Sequence, residues 1–274
     1  MQDLWSYKGM RVIVAGCHSG IGEATARELV RLGAEVHGLD IRPCPTELAS
    51  FQNCDLRERE DIDRALNAIE GKVDCLFYCA GLPQSFPAME VIQVNFLSVR
   101  YFVEKITPRM NPGGAIAIIA STAGNGYMQR LPVINELIAT PDYDAGMAWA
   151  EPRLGELGDP YTFSKEAIIV WGLLQSQTLI HQEIRINLLS PGPTISGMTR
   201  HFESVASPAL IDVFTAPINR RSTSEEQCYP LIFLNCRGAS YVNGLNLRAD
   251  GGFTAGVMLG QIDVEGLMAQ ASAA

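Results

Sequence analysis

The sequence predicts an α/β fold built on a doubly wound parallel sheet. Short runs that are apolar almost throughout alternate with segments of helical length, as expected of buried parallel strands joined by helices. A glycine-rich turn follows the first apolar run, as is typical of the first strand–helix junction in such a sheet. The predicted strands are Arg11–Ala15, Glu35–Leu39, Cys75–Tyr78, Ala115–Ala120, Arg185–Leu189 and Leu245–Arg248, with a further short strand just before Asp55. The predicted helices are Glu23–Leu32, Arg59–Glu70, Met89–Ile106, Tyr161–His181 and Glu225–Leu234.

The composition predicts one globular unit. The chain has 274 residues, of which 47% are hydrophobic, and it contains 25 glycines. A chain of this length can bury a sizeable core, and neither a repeat nor a linker divides it, so we expect a single domain over residues 1–274. Lysine and arginine total 21 against 30 aspartates and glutamates, which gives a formal charge of −9. Because no basic run is present, we expect neither nucleic acid nor an anionic membrane as a partner.

The cysteines and the apolar segments indicate a cytoplasmic protein. Seven cysteines are scattered without Cys-x-x-Cys or Cys/His spacing, which argues against a disulfide framework and against a metal site. The first ten residues contain no apolar signal core, and no apolar stretch is long enough to span a bilayer.

The glycine-rich turn predicts a dinucleotide site. Gly16, Gly20 and Gly22 form a G-x-x-x-G-x-G pattern, followed by helix-forming residues. Glycines there allow a tight turn and a close approach of backbone N–H groups to a pyrophosphate at the positive end of the helix. Ile21 belongs to the same turn, whereas we interpret His18 as an ordinary loop residue.

Asp40, at the end of the second strand, indicates NAD rather than NADP. A carboxylate at this point can accept hydrogen bonds from both hydroxyls of the adenosine ribose, and it repels a 2′-phosphate. Arg42 is the counter-argument, because a guanidinium could hold that phosphate. An NADP-linked carbonyl reductase therefore remains an alternative.

Other predicted cofactor contacts follow later strands. Asp55 is placed to contact the adenine, and the small pair Ala80–Gly81 allows the chain to pass close to the adenosine. Ile41 and Leu56 flank the two carboxylates and complete the adenosine side of the site. Because the ends of parallel strands meet at one edge of the sheet, these groups should face a common ligand.

A tyrosine and a lysine one helical turn apart predict acid–base chemistry. Tyr161 and Lys165 would lie on the same face of a helix, where an ammonium favours the phenolate form of a tyrosine. The alternative is a plain helix start, with Asp159 or Thr162 near the cap. Ser121 ends a predicted central strand. Asn95 interrupts an otherwise apolar helix, where a buried amide needs a partner and would break or bridge the helix.

The ordered set of these motifs resembles the short-chain dehydrogenase/reductase family. The set comprises Gly16/Gly20/Gly22, Asp40, Asp55, Ala80–Gly81, Asn95, Ser121, Tyr161/Lys165 and the segment SPGPTIS from Ser190. The resemblance implies a Rossmann-like fold and a catalytic tetrad of Asn95, Ser121, Tyr161 and Lys165. The sequence departs from the family pattern at Ala15 and Cys79, where threonine and asparagine are usual. Both changes weaken a hydrogen bond that stabilises a turn, but they leave the catalytic residues unchanged.

The resemblance also implies a mechanism. Tyr161 would remove the alcohol proton while hydride passes to NAD⁺, Ser121 would hold the substrate oxygen, and Lys165 would bind the nicotinamide ribose. Asn95 would anchor a water in a proton relay to Lys165. Pro191 and Gly192 would turn the chain over the nicotinamide. Thr194 and Ser196 could bind its carboxamide or the pyrophosphate, although a surface turn would use the same residues.

A long insertion narrows the resemblance to the bacterial 3α-hydroxysteroid dehydrogenase/carbonyl reductase subgroup. Ser121 and Tyr161 are unusually far apart, and residues 125–160 form the insertion. It could act as a lid, a binding loop or an interface, or it could be a solvated segment without function. In the subgroup it goes with an altered subunit interface, so we expect a homodimer or homotetramer, with the dimer preferred.

The substrate predicted from the sequence is a bulky apolar alcohol or ketone of steroid, terpenoid or aromatic type. Residues 197–217 could form an apolar lid, or an amphipathic helix packed on the core. The supporting apolar residues are Met198, Phe202, Leu210, Ile211, Val213 and Phe214 in this segment, and Met128, Leu131, Met147 and Trp149 in the insertion. A non-catalytic dinucleotide-binding regulator is the alternative from another class.

Overall fold

One seven-stranded parallel sheet organises the molecule, and the computed structural model describes residues 3–273 of it. The strands are β1 (Arg11–Ala15), β2 (Glu35–Asp40), β3 (Ser50–Asn53), β4 (Val73–Tyr78), β5 (Met110–Ile119), β6 (Arg185–Pro191) and β7 (Asn246–Ala249). Their order across the sheet is β3-β2-β1-β4-β5-β6-β7, and every pair is parallel. The predicted doubly wound Rossmann-like α/β fold is therefore confirmed.

Helices cover both faces of the sheet. They are α1 (Gly20–Arg31), α2 (Arg59–Ala68), α3 (Ala88–Ile92), α4 (Ser98–Ile106), α5 (Leu131–Ile138), α6 (Tyr143–Ala150), α7 (Pro160–Leu179), α8 (Thr199–Glu203), α9 (Pro208–Asp212), α10 (Ser224–Asn235), α11 (Phe253–Met258) and α12 (Val264–Ala273). One buried apolar cluster joins the sheet to α2, α4, α5, α6 and α7, and a second joins it to α1 and α10. Two cores on opposite faces leave the carboxyl ends of the strands as the open edge of the sheet.

The helix predicted over Met89–Ile106 is divided in three, because a π-helical turn over Gln93–Leu97 separates α3 from α4. Asn95 lies in that turn. Its Oδ1 accepts from the Leu82 N–H at 2.7 Å, and its Nδ2 donates to the Leu82 carbonyl oxygen at 2.9 Å. The amide therefore clamps the chain that follows β4, and the local break expected of Asn95 is present.

The start of α7 is set by a cap. Asp159 is the N-cap residue, its Oδ1 accepts from the Thr162 N–H at 2.7 Å, and Pro160 occupies the first turn. Proline is favoured there because its fixed φ suits a helix and its missing N–H costs nothing. Tyr161 is thereby held in the first turn of a helix whose residues 163–172 are all buried.

The insertion packs on the core, so it is not a solvated loop. Its residues Ile134 and Leu137 in α5 are fully buried. Arg130 Nη1 lies 3.1 Å from Glu166 Oε2 on α7, and Tyr143 on α6 meets Tyr101 on α4 edge to face, with ring centroids 5.7 Å apart. The insertion therefore covers the outer faces of α4 and α7.

Within residues 3–273, no helix is both long and apolar enough to cross a membrane. The same residues hold no group of three or more His, Cys, Asp or Glu side chains that could bind a metal ion. All seven cysteines are free thiols.

Candidate active site

A cavity of about 1220 Å³ opens at the carboxyl ends of the strands. It lies beside the adjacent strands β1 and β4. The connection after β1 leads to one side of the sheet and the connection after β4 leads to the other. Doubly wound sheets bind ligands at such a point. All but one of the predicted site residues line it, namely Gly16, Gly20, Ile21, Gly22, Asp40, Ile41, Asp55, Leu56, Ala80, Gly81, Ser121, Tyr161, Lys165, Pro191, Gly192, Thr194 and Ser196. The exception, Asn95, lies behind the wall.

The glycine-rich turn has the geometry of a phosphate cradle. Gly16 has a φ of +84°, in the region that favours glycine. A Cβ on Gly22 would overlap the carbonyl oxygen of Gly16, so the turn closes only with glycine at this position. Ser19 at the N-cap of α1 makes no side-chain cap bond to any described residue. The N-terminal N–H groups are thus left for a ligand, and the turn fits a dinucleotide pyrophosphate.

The carboxylate of Asp40 is oriented by two backbone donors. Its Oδ2 accepts from the His18 N–H at 3.0 Å and its Oδ1 from the Arg42 N–H at 3.1 Å. Each oxygen keeps a lone pair for a further donor. Arg42 is exposed at the cavity rim, and its guanidinium pairs with no described acidic side chain. His18, which we interpreted as an ordinary loop residue, also lines the cavity, and its Nδ1 lies 2.7 Å from the Pro43 carbonyl oxygen. The sequence did not indicate either contact.

Asp55 lies in the wall as an ion pair. Arg57 Nη2 is 2.7 Å from Asp55 Oδ2, and Arg57 Nη1 is 2.7 Å from Glu90 Oε2. The hydrogen bonds from Arg57 hold the pKa of Asp55 below its usual value, against the effect of burial. Sequence reasoning missed Arg57, because a pair two residues apart on a loop has no distinctive pattern.

Tyr161 and Ser121 meet in the cavity. The Ser121 hydroxyl accepts from the Ala123 N–H at 3.1 Å, and it lies near enough to the Tyr161 hydroxyl to affect the pKa of the phenol. Burial raises the pKa of Tyr161, the Ser121 hydrogen bond lowers it, and the charge of Asp159 raises it. The phenol is therefore protonated at neutral pH unless a further positive charge approaches it.

Lys165 is a buried ammonium group. Its side chain is almost wholly buried, and Nζ donates to the Ile119 carbonyl oxygen at 3.0 Å. Nζ lies 5.6 Å from the centre of the Tyr161 ring. Burial lowers the pKa of Lys165 to about 8, with a small opposing effect from Cys79. An amine with this pKa can hold or release a proton near neutral pH.

Asn95 reaches the cluster through Gly81. A Cβ on Gly81 would lie 3.2 Å from Asn95 Oδ1 and 3.6 Å from Lys165 Nζ, so both polar groups flank this residue. Asn95 Nδ2 also donates to Ser164 Oγ at 3.1 Å, on the helix that carries Tyr161. The four predicted catalytic residues are thus brought to one end of the cavity.

The segment after β6 covers that end of the cavity. The Phe202 ring meets the Tyr161 ring edge to face, with centroids 5.2 Å apart. Neither α8 nor α9 has a buried residue, whereas Val213 and Thr215 just after α9 are buried. The two helices therefore lie outside both cores, and we refer to them, together with Phe214, as the cover. Arg221 holds the two helices together, with Nη1 2.7 Å from Glu203 and Nε 2.6 Å from Asp212.

The apolar wall differs in part from the one predicted. Met198, Phe202, Leu210, Ile211 and Phe214 line the cavity, but Val213 is buried away from it. The four insertion residues lie outside it, because Leu131, Met147 and Trp149 pack on the core and Met128 is exposed. Phe86, Phe253 and Met268 line the cavity instead, and they come from parts of the chain that the sequence does not connect to the site.

The comparisons with known proteins agree with this geometry. Residues 10–133 match the family model described as short chain dehydrogenase, and residues 150–254 match one described as enoyl-(acyl carrier protein) reductase. The chain is 30% identical over 243 residues to the coniferyl-alcohol dehydrogenase of Pseudomonas sp., covering 88% of this chain and 95% of the relative. It is 28% identical to the 3-alpha-hydroxysteroid dehydrogenase/carbonyl reductase of Comamonas testosteroni, covering 89% and 96% of the two chains.

Solved structures show the same relationship. The 3-alpha-hydroxysteroid dehydrogenase of Pseudomonas sp. B-0831, solved with NADH, superposes with a TM-score of 0.76 at 25% identity and covers 92% of this chain and 99% of its own. The protein belongs to the short-chain dehydrogenase family, whose members are oxidoreductases that use a nicotinamide dinucleotide. Its relatives include dehydrogenases of the hydroxysteroid type, as the resemblance indicated.

Proposed function

We propose that the protein transfers a hydride between NAD(H) and a bulky apolar secondary alcohol or its ketone. One observation carries the proposal: Tyr161, Ser121 and Lys165 line the same cavity as the glycine-rich turn and Asp40. A dinucleotide held by the turn and Asp40 would extend toward the tyrosine, beneath the apolar cover.

The preference for NAD rests on Asp40. Its two oxygens are each fixed by one backbone N–H and can each accept a ribose hydroxyl. A 2′-phosphate would face this negative charge. Arg42 supports the alternative of an NADP-linked carbonyl reductase, and among solved structures with the same fold the RhlG protein of Pseudomonas aeruginosa is described as an NADP complex.

The protein residues divide the remaining work. When bound, the dinucleotide supplies the acceptor or donor of the hydride. During oxidation the phenolate oxygen of Tyr161 would take the proton of the alcohol, and during reduction the Tyr161 hydroxyl would return it, while Ser121 orients the substrate oxygen by a hydrogen bond. Lys165 lowers the cost of the phenolate by its charge and accepts or supplies the proton in turn.

Asn95 has a narrower part in a proton relay than the resemblance implied. Both N–H donors of its amide are used, by Leu82 and Ser164, so only the second lone pair of Oδ1 is left for a water beside Lys165. Its first effect is to hold the backbone of Gly81 and Leu82 beside the catalytic lysine.

The substrate class rests on the cover. Phe202, Leu210 and Phe214 present apolar surface to the cavity. Of the arginines in its wall, Arg57 and Arg221 are paired with carboxylates. The names of two relatives refer to coniferyl alcohol and to a 3α-hydroxysteroid. Both compounds contain rings, and the hydroxysteroid is a secondary alcohol of the proposed class.

The assembly that we propose is a homodimer in the cytoplasm. The insertion covers α4 and α7, whereas Tyr241, Met258 and Leu259 expose apolar surface in the segments that flank β7. Exposed apolar patches commonly mark protein interfaces. Seven free thiols are consistent with a reducing compartment.

Turnover measured at 340 nm tests the function. Cyclic, steroidal and aromatic secondary alcohols would be offered with NAD⁺ and with NADP⁺ separately. NAD⁺-dependent oxidation of the apolar ring alcohols is expected. Preferred use of NADP⁺ would favour the carbonyl reductase, and dinucleotide binding without turnover of any alcohol would favour the regulator.

A further inference from the structure

The apolar end of the cavity has a polar residue, Gln84, in its wall. Gln84 belongs to the loop between β4 and α3, together with Phe86, which also lines the cavity. The cover opposite contributes Phe202, Leu210 and Phe214. An amide in these surroundings is a potential source of specificity, because ligand pockets fix orientation through a few polar groups in an apolar wall.

The loop that carries Gln84 is held at both of its ends. On one side Asn95 clamps the backbone N–H and carbonyl of Leu82. On the other side Ser85 Oγ lies 3.3 Å from His201 Nδ1, and the Phe86 ring lies 5.5 Å from the His201 ring, on helix α8 of the cover. Gln84 thus lies where the floor of the active site meets its cover, in a position that the backbone fixes.

The amide of Gln84 has no partner of its own. Its Oε1 is buried, and neither end of the amide makes a hydrogen bond to any residue in the described range 3–273. A buried polar group left unpaired is unfavourable, so a ligand that pairs with it gains affinity. The terminal torsion of glutamine is broad, so the amide can turn and present its oxygen or its N–H₂ to the cavity. No residue between 3 and 273 uses this group, so the amide is free to bind a ligand.

We propose that Gln84 binds a second polar substituent of the substrate, apart from the alcohol that reacts at Tyr161. The substrate is then a ring alcohol with a second hydroxyl group, either phenolic or on a further ring. This inference deepens the proposed function and rests on it. Selectivity arises because the unsubstituted analogue leaves the amide unpaired, whereas the hydroxylated one satisfies it.

Two matched pairs of alcohols test the inference. They are 1-(4-hydroxyphenyl)ethanol and 1-phenylethanol, and a 3α-hydroxysteroid with and without a 17β-hydroxyl. Gln84→Leu keeps the size of the side chain and removes the amide, and Gln182→Leu, at an exposed glutamine outside the cavity wall, is the control. Both kcat/KM and the dissociation constant from calorimetry are measured for each alcohol.

Gln84→Leu is expected to lower kcat/KM and affinity for the hydroxylated member of a pair about 10- to 100-fold, the range of a hydrogen bond to a buried group. The unsubstituted member should change less than about twofold, the control should change neither, and the melting temperature should not fall, because the lost amide was unpaired. Equal losses for both members, or selectivity that survives the substitution, would overturn the inference. Binding selectivity that is lost in Gln84→Leu without turnover of any alcohol would keep the inference and contradict the proposed function.

Discussion

At the scale of single residues, we propose that Asp40 decides which dinucleotide the protein prefers. Its carboxylate is held by the His18 and Arg42 N–H groups, so its orientation does not depend on bound cofactor. Asp40→Ser should weaken NADH binding and strengthen NADPH binding. We expect the ratio of the two dissociation constants to change about tenfold or more, since charge-assisted hydrogen bonds contribute about 1.5–3 kcal/mol.

The fluorescence of the reduced dinucleotides measures both dissociation constants. Asp55→Asn is the control, because the adenine that Asp55 is predicted to contact is common to NADH and NADPH. It should weaken both equally. An unchanged ratio in Asp40→Ser would remove the argument for NAD.

Asp159 has two separable effects on Tyr161. Its side chain caps α7, and its charge adds to the effect of burial in raising the pKa of the tyrosine. Asp159→Asn keeps a capping side chain and removes the charge, so the pKa of Tyr161 should fall. The rising limb of kcat/KM for alcohol oxidation should therefore move to lower pH.

The pH profile of kcat/KM measures this shift, and Asp142→Asn serves as the control because Asp142 caps α6 in the same way at a site outside the cavity wall. The other groups that face Tyr161 are Ser121, Lys165 and Phe202, and they are unchanged in both variants. A limb that stays in place would show that Asp159 acts only as a cap, and a limb that moves to higher pH would contradict the expected effect of its charge.

At the scale of structural elements, the cover depends on one arginine. Arg221 pairs with Glu203 and Asp212, on either side of the turn between α8 and α9, and its own side chain is mostly buried. Arg221→Gln should loosen the cover and raise KM for apolar alcohols several-fold, with little change in melting temperature because α8 and α9 lie outside both cores.

Arg220→Gln is a matched control for steady-state kinetics. Arg220 pairs with Glu226 at the start of α10 and does not line the cavity. A similar rise of KM in both variants, or no rise in Arg221→Gln, would mean that the ion pairs of Arg221 do not hold the cover over the substrate.

The elements also show what the sequence could predict. The glycine turn, Asp40 and the Tyr161–Lys165 pair are local patterns whose positions follow from strand ends and helical spacing, and the structure brings them to one cavity. The sequence predicted a break in the helix at Asn95 but not a π-helical turn. The turn goes with hydrogen bonds between Asn95 and Leu82, which belongs to another segment of the chain.

Contacts between distant segments could not be predicted from local patterns. Trp149 was assigned to the substrate wall because it is apolar and lies in the insertion, but it stacks on Phe163 of the core. Met268 near the end of the chain lines the cavity, since α12 packs beside the cover. Apolar character alone does not tell whether a side chain faces a core or a cavity.

At the scale of the whole molecule, the insertion and the exposed patch predict a dimer. Light scattering should give twice the mass of the chain. Met258→Glu combined with Leu259→Glu should give a monomer, since two charges would be buried in the proposed interface. Met128→Glu, at an exposed methionine of the insertion, should leave the dimer intact. A tetramer, or a dimer that only Met128→Glu dissociates, would contradict this assignment.

The most direct test of the catalytic proposal compares Tyr161→Phe with the unsubstituted protein in NAD⁺-dependent oxidation of one ring alcohol, with NADH binding measured in parallel. The substitution removes a single oxygen from the cavity and keeps the ring that meets Phe202. Loss of proton transfer should lower kcat about 100- to 10,000-fold while NADH binds as before. Turnover within a few-fold of the unsubstituted protein, with NADH binding intact, would show that Tyr161 is not the group that carries the proton.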